Sequence, residues 1–143
     1  MIDQATETEF VAASPSRCYD IAADFERYPE WARDVKEASV LERDAHGRAT
    51  KVEYRASALG RSTHYTLAYD YSQSPERLLW SLVEGDIMRV IEGAYTFAPE
   101  GTGTNITYSL QIELIVPLPG FVKRRAEVRI LHTLKELKSR AEA

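Results

Sequence analysis

The feature that most constrains this chain is the strict alternation from Ile106 to Leu114. Ile106, Tyr108, Leu110, Ile112 and Leu114 are apolar, and Thr107, Ser109, Gln111 and Glu113 between them are polar. A period of two gives a strand with one dry and one wet face, the pattern of an antiparallel sheet covered on one side. Other stretches repeat it. Val52, Tyr54, Ala56 and Ala58 alternate with Lys51, Glu53, Arg55 and Ser57, and Tyr65, Leu67, Tyr69 and Tyr71 alternate with Thr66, Ala68 and Asp70. Leu78, Trp80 and Leu82 form one face of a further run, and Ile91, Gly93, Tyr95 and Phe97 one face of another. Turn residues separate these runs: Asp44-Ala45-His46-Gly47, Leu59-Gly60-Arg61, Ser74-Pro75-Glu76, Glu84-Gly85-Asp86 and Glu100-Gly101-Thr102-Gly103. Connections this short make hairpins rather than crossovers, so about six strands from Val35 onward form a meander.

Ahead of the meander, Glu7 to Ala13 reads as a first strand with Phe10 and Ala12 on one face. Ser14-Pro15 supplies an N-cap and a first-position proline for a short helix through Cys18, Tyr19, Ile21 and Ala22. Asp24 to Trp31 breaks that helix, and Pro29 opens a second helical turn. At the other end, Pro117-Leu118-Pro119-Gly120 stops the last strand, and Phe121 to about Ala141 has neither Pro nor Gly. Ala126, Ile130, Leu134, Leu137 and Ala141 line one side of this helix, which would be roughly 30 Å long at about 1.5 Å per residue. The order β-α-α-β6-α predicts an α+β fold of about seven strands, in one domain spanning residues 1–143. The helix is the only element long enough to cover the sheet. Its stripe ends in alanine on both sides, so a curved sheet beneath it keeps unfilled space, and the Pro-Leu-Pro-Gly entrance is where opening is expected to cost least.

Charge is unevenly spread. Residues 121–143 hold seven Lys/Arg (Lys123, Arg124, Arg125, Arg129, Lys135, Lys138 and Arg140) against three acids, a balance of +4 in a chain whose net charge is -4. That helix face is either simply solvated or a dock for an acidic protein or an anionic membrane surface. No DNA partner is expected. The lone Cys18 has no disulfide partner, and no metal-type Cys/His spacing occurs, which suits a cytoplasmic location. The N-terminus lacks a signal-peptide pattern, and no apolar run approaches the length of a membrane span.

Two segments carry a family resemblance. Asp24-Phe25-Glu26-Arg27-Tyr28-Pro29-Glu30-Trp31, with Val35 beyond it, and Val116-Pro117-Leu118-Pro119-Gly120-Phe121-Val122-Lys123-Arg124-Arg125-Ala126-Glu127 resemble the START-like (Bet v 1-like, SRPBCC) superfamily. The nearest likeness is to its polyketide cyclase/dehydrase and lipid-transport group, which includes coenzyme Q-binding and ribosome-associated toxin-like proteins. The resemblance covers the whole chain. It implies the helix-grip fold, in which a curved antiparallel sheet wraps around a long C-terminal helix and leaves an apolar cavity. It implies no single function, because the fold hosts transport, cyclisation, sensing and protein binding.

The candidate ligand-binding residues are Tyr28, Trp31, Tyr54, Tyr65, Tyr69, Trp80, Arg89, Tyr95, Tyr108, Phe121, Ile130 and Leu134. Tyr54, Tyr65, Tyr69, Trp80, Tyr95 and Tyr108 share the inward parity, and six rings with polar tips either pack a core or line a cavity that satisfies those tips. By the resemblance, Tyr28 and Trp31 lie at the cavity rim; alternatively Trp31 packs the short helices on the sheet. Arg89 would hold a ligand carboxylate if turned inward, but its parity is opposite to Ile91 and Tyr95, which points it outward unless a bulge intervenes. His46, His64 and His132 lie in a turn, on outward parity and off the helix stripe. No nucleophile elbow, phosphate loop or zinc motif occurs, and no catalytic residue, metal or cofactor is expected. The reading that follows is binding or transport of a small hydrophobic ligand, lipid-like or polycyclic. The alternatives are a polyketide cyclase or aromatase and a protein-binding regulator.

Overall fold

The structure, a computed structural model, describes residues 3–58, 61–115 and 132–143. Seven strands form one antiparallel sheet in the order β1-β7-β6-β5-β4-β3-β2. They are β1 (Asp3–Val11), β2 (Val35–Arg43), β3 (Ala49–Ala58), β4 (Arg61–Asp70), β5 (Arg77–Gly85), β6 (Met88–Glu100) and β7 (Gly103–Leu114). Every pair beyond β1 is a hairpin between sequence neighbours, as the short turns require, and β1 closes the order by pairing with β7 from Asp3↔Ile112 to Val11↔Thr104. Gly47 and Gly101 take the positive φ values, 82° and 59°, that two of the predicted turns need. Register shifts interrupt β2–β3, β4–β5 at Thr66/Leu67, and β6–β7 at Met88/Val90, and such bulges increase strand bend and twist.

Helix α1 (Pro15–Ala23) begins as expected, with Ser14 Oγ accepting from the Arg17 N–H at 3.2 Å and Pro15 in the first turn. A 3-10 turn (Phe25–Arg27) and the four-residue α2 (Tyr28–Trp31) follow. Residues 132–142 form the described part of the terminal helix, α3. Leu134 and Leu137 are wholly buried and Ala141 nearly so, which places this half of the expected stripe in the core. Burying each leucine contributes on the order of 1.5–3 kcal/mol. Ala126, Ile130 and the Pro117–Gly120 entrance lie outside the described residues.

The end of α3 is held by polar links to three other elements. Arg17 Nε donates to the Ala141 carbonyl at 2.7 Å, satisfying an acceptor that the helix terminus leaves open. Glu142 accepts from the Ala12 N–H and from Lys138 Nζ, each at 2.8 Å, and these two donors hold its carboxyl below the usual range. Lys138 also donates to the Phe10 carbonyl at 2.6 Å. On the α2 side, the Arg33 N–H donates to Glu136 at 2.8 Å and Arg140 pairs with Glu30 at 2.8 Å. In β1 the buried inward residue is Val11; Phe10 and Ala12 form the outer face, and Phe10 is exposed.

Candidate ligand site

Every ring expected on an inward face is there. Tyr54, Tyr69, Trp80, Tyr95 and Tyr108 are buried, and Tyr65 is partly so. The sheet brings them together as one wall. Tyr54 faces Tyr65 across β3–β4, and Tyr69 faces Trp80 across β4–β5. Trp80 lies 5.1 Å from Tyr95 and 5.7 Å from Tyr108, centroid to centroid. The short helices add Phe25, stacked on Tyr69 at 3.9 Å, and Tyr28, which lies 4.8 Å from Trp31 and 6.1 Å from Tyr54. Phe25 is absent from the residues that the sequence pattern singles out; its place in the Asp24–Trp31 break offers no parity to read.

The polar tips of this wall divide into two groups. Tyr28 Oη donates to the Ala22 carbonyl at 2.5 Å, and the Tyr54 and Tyr69 hydroxyls share a hydrogen bond of 2.6 Å. A pair of hydroxyls has two protons and uses one between them, so one O–H of the Tyr54–Tyr69 pair is still available to donate. The Tyr65 and Tyr108 hydroxyls and the Trp80 N–H hydrogen-bond to no described residue, yet none of them is a fully enclosed atom left unsatisfied. Each therefore meets accessible space. Burial raises the pKa of Tyr28, Tyr54, Tyr69, Tyr95 and Tyr108, and that of Tyr65 to about 12, so the wall is made of neutral O–H donors.

Accessibility rises along β5 and β7, whereas Thr63 on β4 and Ile91 and Met88 on β6 stay buried at the same end. On β7 the inward series Thr104, Ile106, Tyr108 and Leu110 is 0, 0, 8 and 7% exposed, and Ile112 and Leu114 beyond it are only partly buried. On β5, Leu78 is 0% and Trp80 8% exposed, and Leu82 is partly buried. The sealed pole is where α1 and the end of α3 meet the sheet. The accessible pole lies toward Tyr65, Leu82, Ile112 and Leu114.

Other candidates fall elsewhere. A bulge does occur at Arg89, but it adds an outward residue: Arg89 and Val90 both face out before Ile91 resumes the inward series. The Arg89 side chain is 62% exposed and lies 3.8 Å from Glu113, so it does not join the wall. Leu134 packs at the sealed pole. Phe121 and Ile130 lie outside the described residues. His46, His64 and His132 are exposed, and among the described residues no cluster of His, Cys, Asp and Glu is placed to hold a metal. Two hollows lie at the margins of the wall. One, about 180 Å³, sits between the 3-10 turn and the β2–β3 hairpin, but its Arg43 and Arg48 are engaged by Glu26 and Asp44. The other, about 260 Å³, is an open hollow in which Glu53, His64, Glu84 and Asp86 surround one edge of Tyr65.

A one-sided antiparallel sheet, an aromatic inner wall and a covering terminal helix define a helix-grip protein of the START-like class. The chain belongs to the polyketide cyclase/dehydrase and lipid transport family, whose model matches residues 11–136. Its structure is similar to that of a START superfamily protein from Mycobacterium smegmatis, with a TM-score of 0.89 and 29% identity over 97% of each chain. It is also similar to a protein from Thermus thermophilus, with a TM-score of 0.84 and 24% identity over 97% of each chain. Against the Zhui aromatase/cyclase from Streptomyces sp. R1128 the TM-score is 0.84 at 13% identity, covering 99% of this chain and 94% of that one, a likeness of fold alone. No curated protein is a significant sequence match. Among the described residues no helix is long and apolar enough to cross a membrane.

Proposed function

We propose that the protein binds and carries a small, neutral, hydrophobic molecule, lipid-like or polycyclic, held between the aromatic wall and α3. The observation that carries this is the combination of polar tips without described partners on Tyr65, Trp80 and Tyr108 and the accessibility that rises beyond them along β5 and β7, at Leu82, Ile112 and Leu114. Burying such groups against nothing is costly, and a ligand with one or two acceptors would satisfy them while filling apolar space. The described wall contains no lysine, arginine or histidine to balance an anionic head group, and Asp34 and Glu136 act on Tyr65 and Tyr95 from beside it, so it favours an uncharged ligand. Native mass spectrometry of the protein isolated from its own source, followed by solvent extraction, tests the reading. One bound small molecule per chain is expected. A chain of apo mass that also shows no saturable binding of dodecanol or dihydroxyanthraquinone would sink it.

Cyclase or aromatase activity is the second reading. It rests on the same neutral tyrosines, which could polarise the carbonyls of a bound polyketone. Identical product mixtures from a reactive polyketone with and without the protein would exclude it. A protein-binding role through the basic helix has weaker support, because Lys135, Lys138 and Arg140 each lie against an acid of the same chain: Glu9, Glu142 and Glu30.

A further inference from the structure

Gly93 stands in the middle of β6 on its inward face, directly opposite Trp80 in the β5–β6 register. A glycine at such a position weakens a strand and marks a close approach by something else. Here that something is the indole. A Cβ placed on Gly93 would lie 2.3 Å from Trp80 Cε2 and Cζ2 and 2.5 Å from Nε1, well inside contact distance. Trp80 therefore lies flat against the strand, in a slot that only glycine leaves open. It has no room to slide sideways, because Tyr69, Tyr95 and Tyr108 surround it at 6.3, 5.1 and 5.7 Å. The direction left for a displaced ring is up, into the interior.

We propose that Gly93 is a specificity-determining residue: by letting Trp80 lie flat it sets the depth of the interior over the centre of the sheet, enough for a flat fused-ring ligand to fit above it. This rests on the binding reading above. The rigid indole has no torsion beyond χ2 with which to absorb an added methyl, so overpacking at residue 93 becomes loss of depth. A thin single chain can pass beside a raised ring, and a fused-ring system of several ångströms' width cannot.

Calorimetric titration of wild type, Gly93→Ala and the double variant Gly93→Ala/Trp80→Leu, with dodecanol as the chain probe and dihydroxyanthraquinone as the ring probe, tests this. In Gly93→Ala the ring probe is expected to weaken by about tenfold or more and the chain probe by less than about twofold. Replacing the indole with leucine removes the displaced ring and restores ring-probe binding to within about threefold of wild type. Should Gly93→Ala fail to fold, the double variant decides: folding and ring binding recovered once the indole is gone support the Gly93–Trp80 fit, and a double variant that folds without taking the ring probe, or that also fails to fold, overturns it. Equal ring affinity in wild type and Gly93→Ala would overturn the specificity role while leaving the binding reading intact. So would a wild type that takes dodecanol but not the ring probe. Failure of both probes on wild type would overturn the binding reading and this inference together.

Discussion

The two poles of the interior use the same kinds of residue for different ends. At the sealed pole Val11, Cys18, Ala22, Leu78, Ile106, Leu134 and Leu137 are wholly buried, and polar links from Arg17, Glu142, Lys138 and Arg140 tie the end of α3 to the elements beside it. At the other pole the inward residues Tyr65, Leu82, Ile112 and Leu114 retain accessible surface. The sealed pole is packed mainly from aliphatic side chains of several elements, and its buried polar groups find partners within the fold, as when Thr104 Oγ1 donates to the Ala13 carbonyl at 2.8 Å. Toward the accessible pole the wall is aromatic, with hydroxyls and an indole N–H that a packed hydrocarbon core would leave unsatisfied. One pole supplies stability, and the other is where the proposed function would place a ligand.

The largest effect should come from removing the sealed pole's packing. Leu137→Ala is expected to cost ~2–5 kcal/mol in urea unfolding, against about half that or less for Leu114→Ala, whose side chain is already partly accessible. Equal losses would erase the distinction between the poles.

Alkaline pH should come next. The unfolded chain's tyrosines ionise near pH 10, whereas Tyr65 in the fold is raised to about 12 and the buried ring partners are raised also. Between those values the unfolded state binds fewer protons than the folded one, so stability falls as pH rises from about 10 toward 12 and is unaffected by these groups below that window. Tyrosinate absorbance from the wall should appear together with unfolding. Ionisation of most tyrosines at pH 10 with the fold intact would show that the wall is open to bulk water throughout.

A smaller effect is expected at the clamp. Arg17→Ala removes the donor to the Ala141 carbonyl and should cost about 0.5–1.5 kcal/mol, with faster amide exchange confined to the last turn of α3 and no change in dodecanol affinity. A large drop in affinity instead would mean that the sealed pole takes part in binding.

The fold was legible because its signals are one-dimensional. Alternation from Ile106 to Leu114 and in the runs around Val52–Ala56, Leu67–Tyr69, Leu78–Trp80 and Ile91–Phe97 predicts the inward faces, while in β1 the face of Phe10 and Ala12 is the outer one; Ser14-Pro15, Gly47 and Gly101 sit where their backbone roles require. The wall's membership was legible for the same reason. Its geometry was not. Whether Tyr54 and Tyr69 satisfy each other, or a bulge at Arg89 turns a side chain in or out, depends on register across strands that are far apart in sequence. Phe25 is invisible to a period-two reading because it lies in a 3-10 turn. Gly93 carried a signal, a glycine among the large residues Ile91, Tyr95 and Phe97 of one strand face, but its meaning needed the partner strand that places Trp80 upon it.

The most direct test of the two-pole account is methyl-resolved NMR of the protein titrated with dihydroxyanthraquinone. The account predicts saturable shifts at Leu82, Leu110, Ile112 and Leu114, with Leu78, Ile106, Leu134 and Leu137 unmoved. Shifts concentrated on Leu134 and Leu137, or spread evenly over both sets, would contradict it.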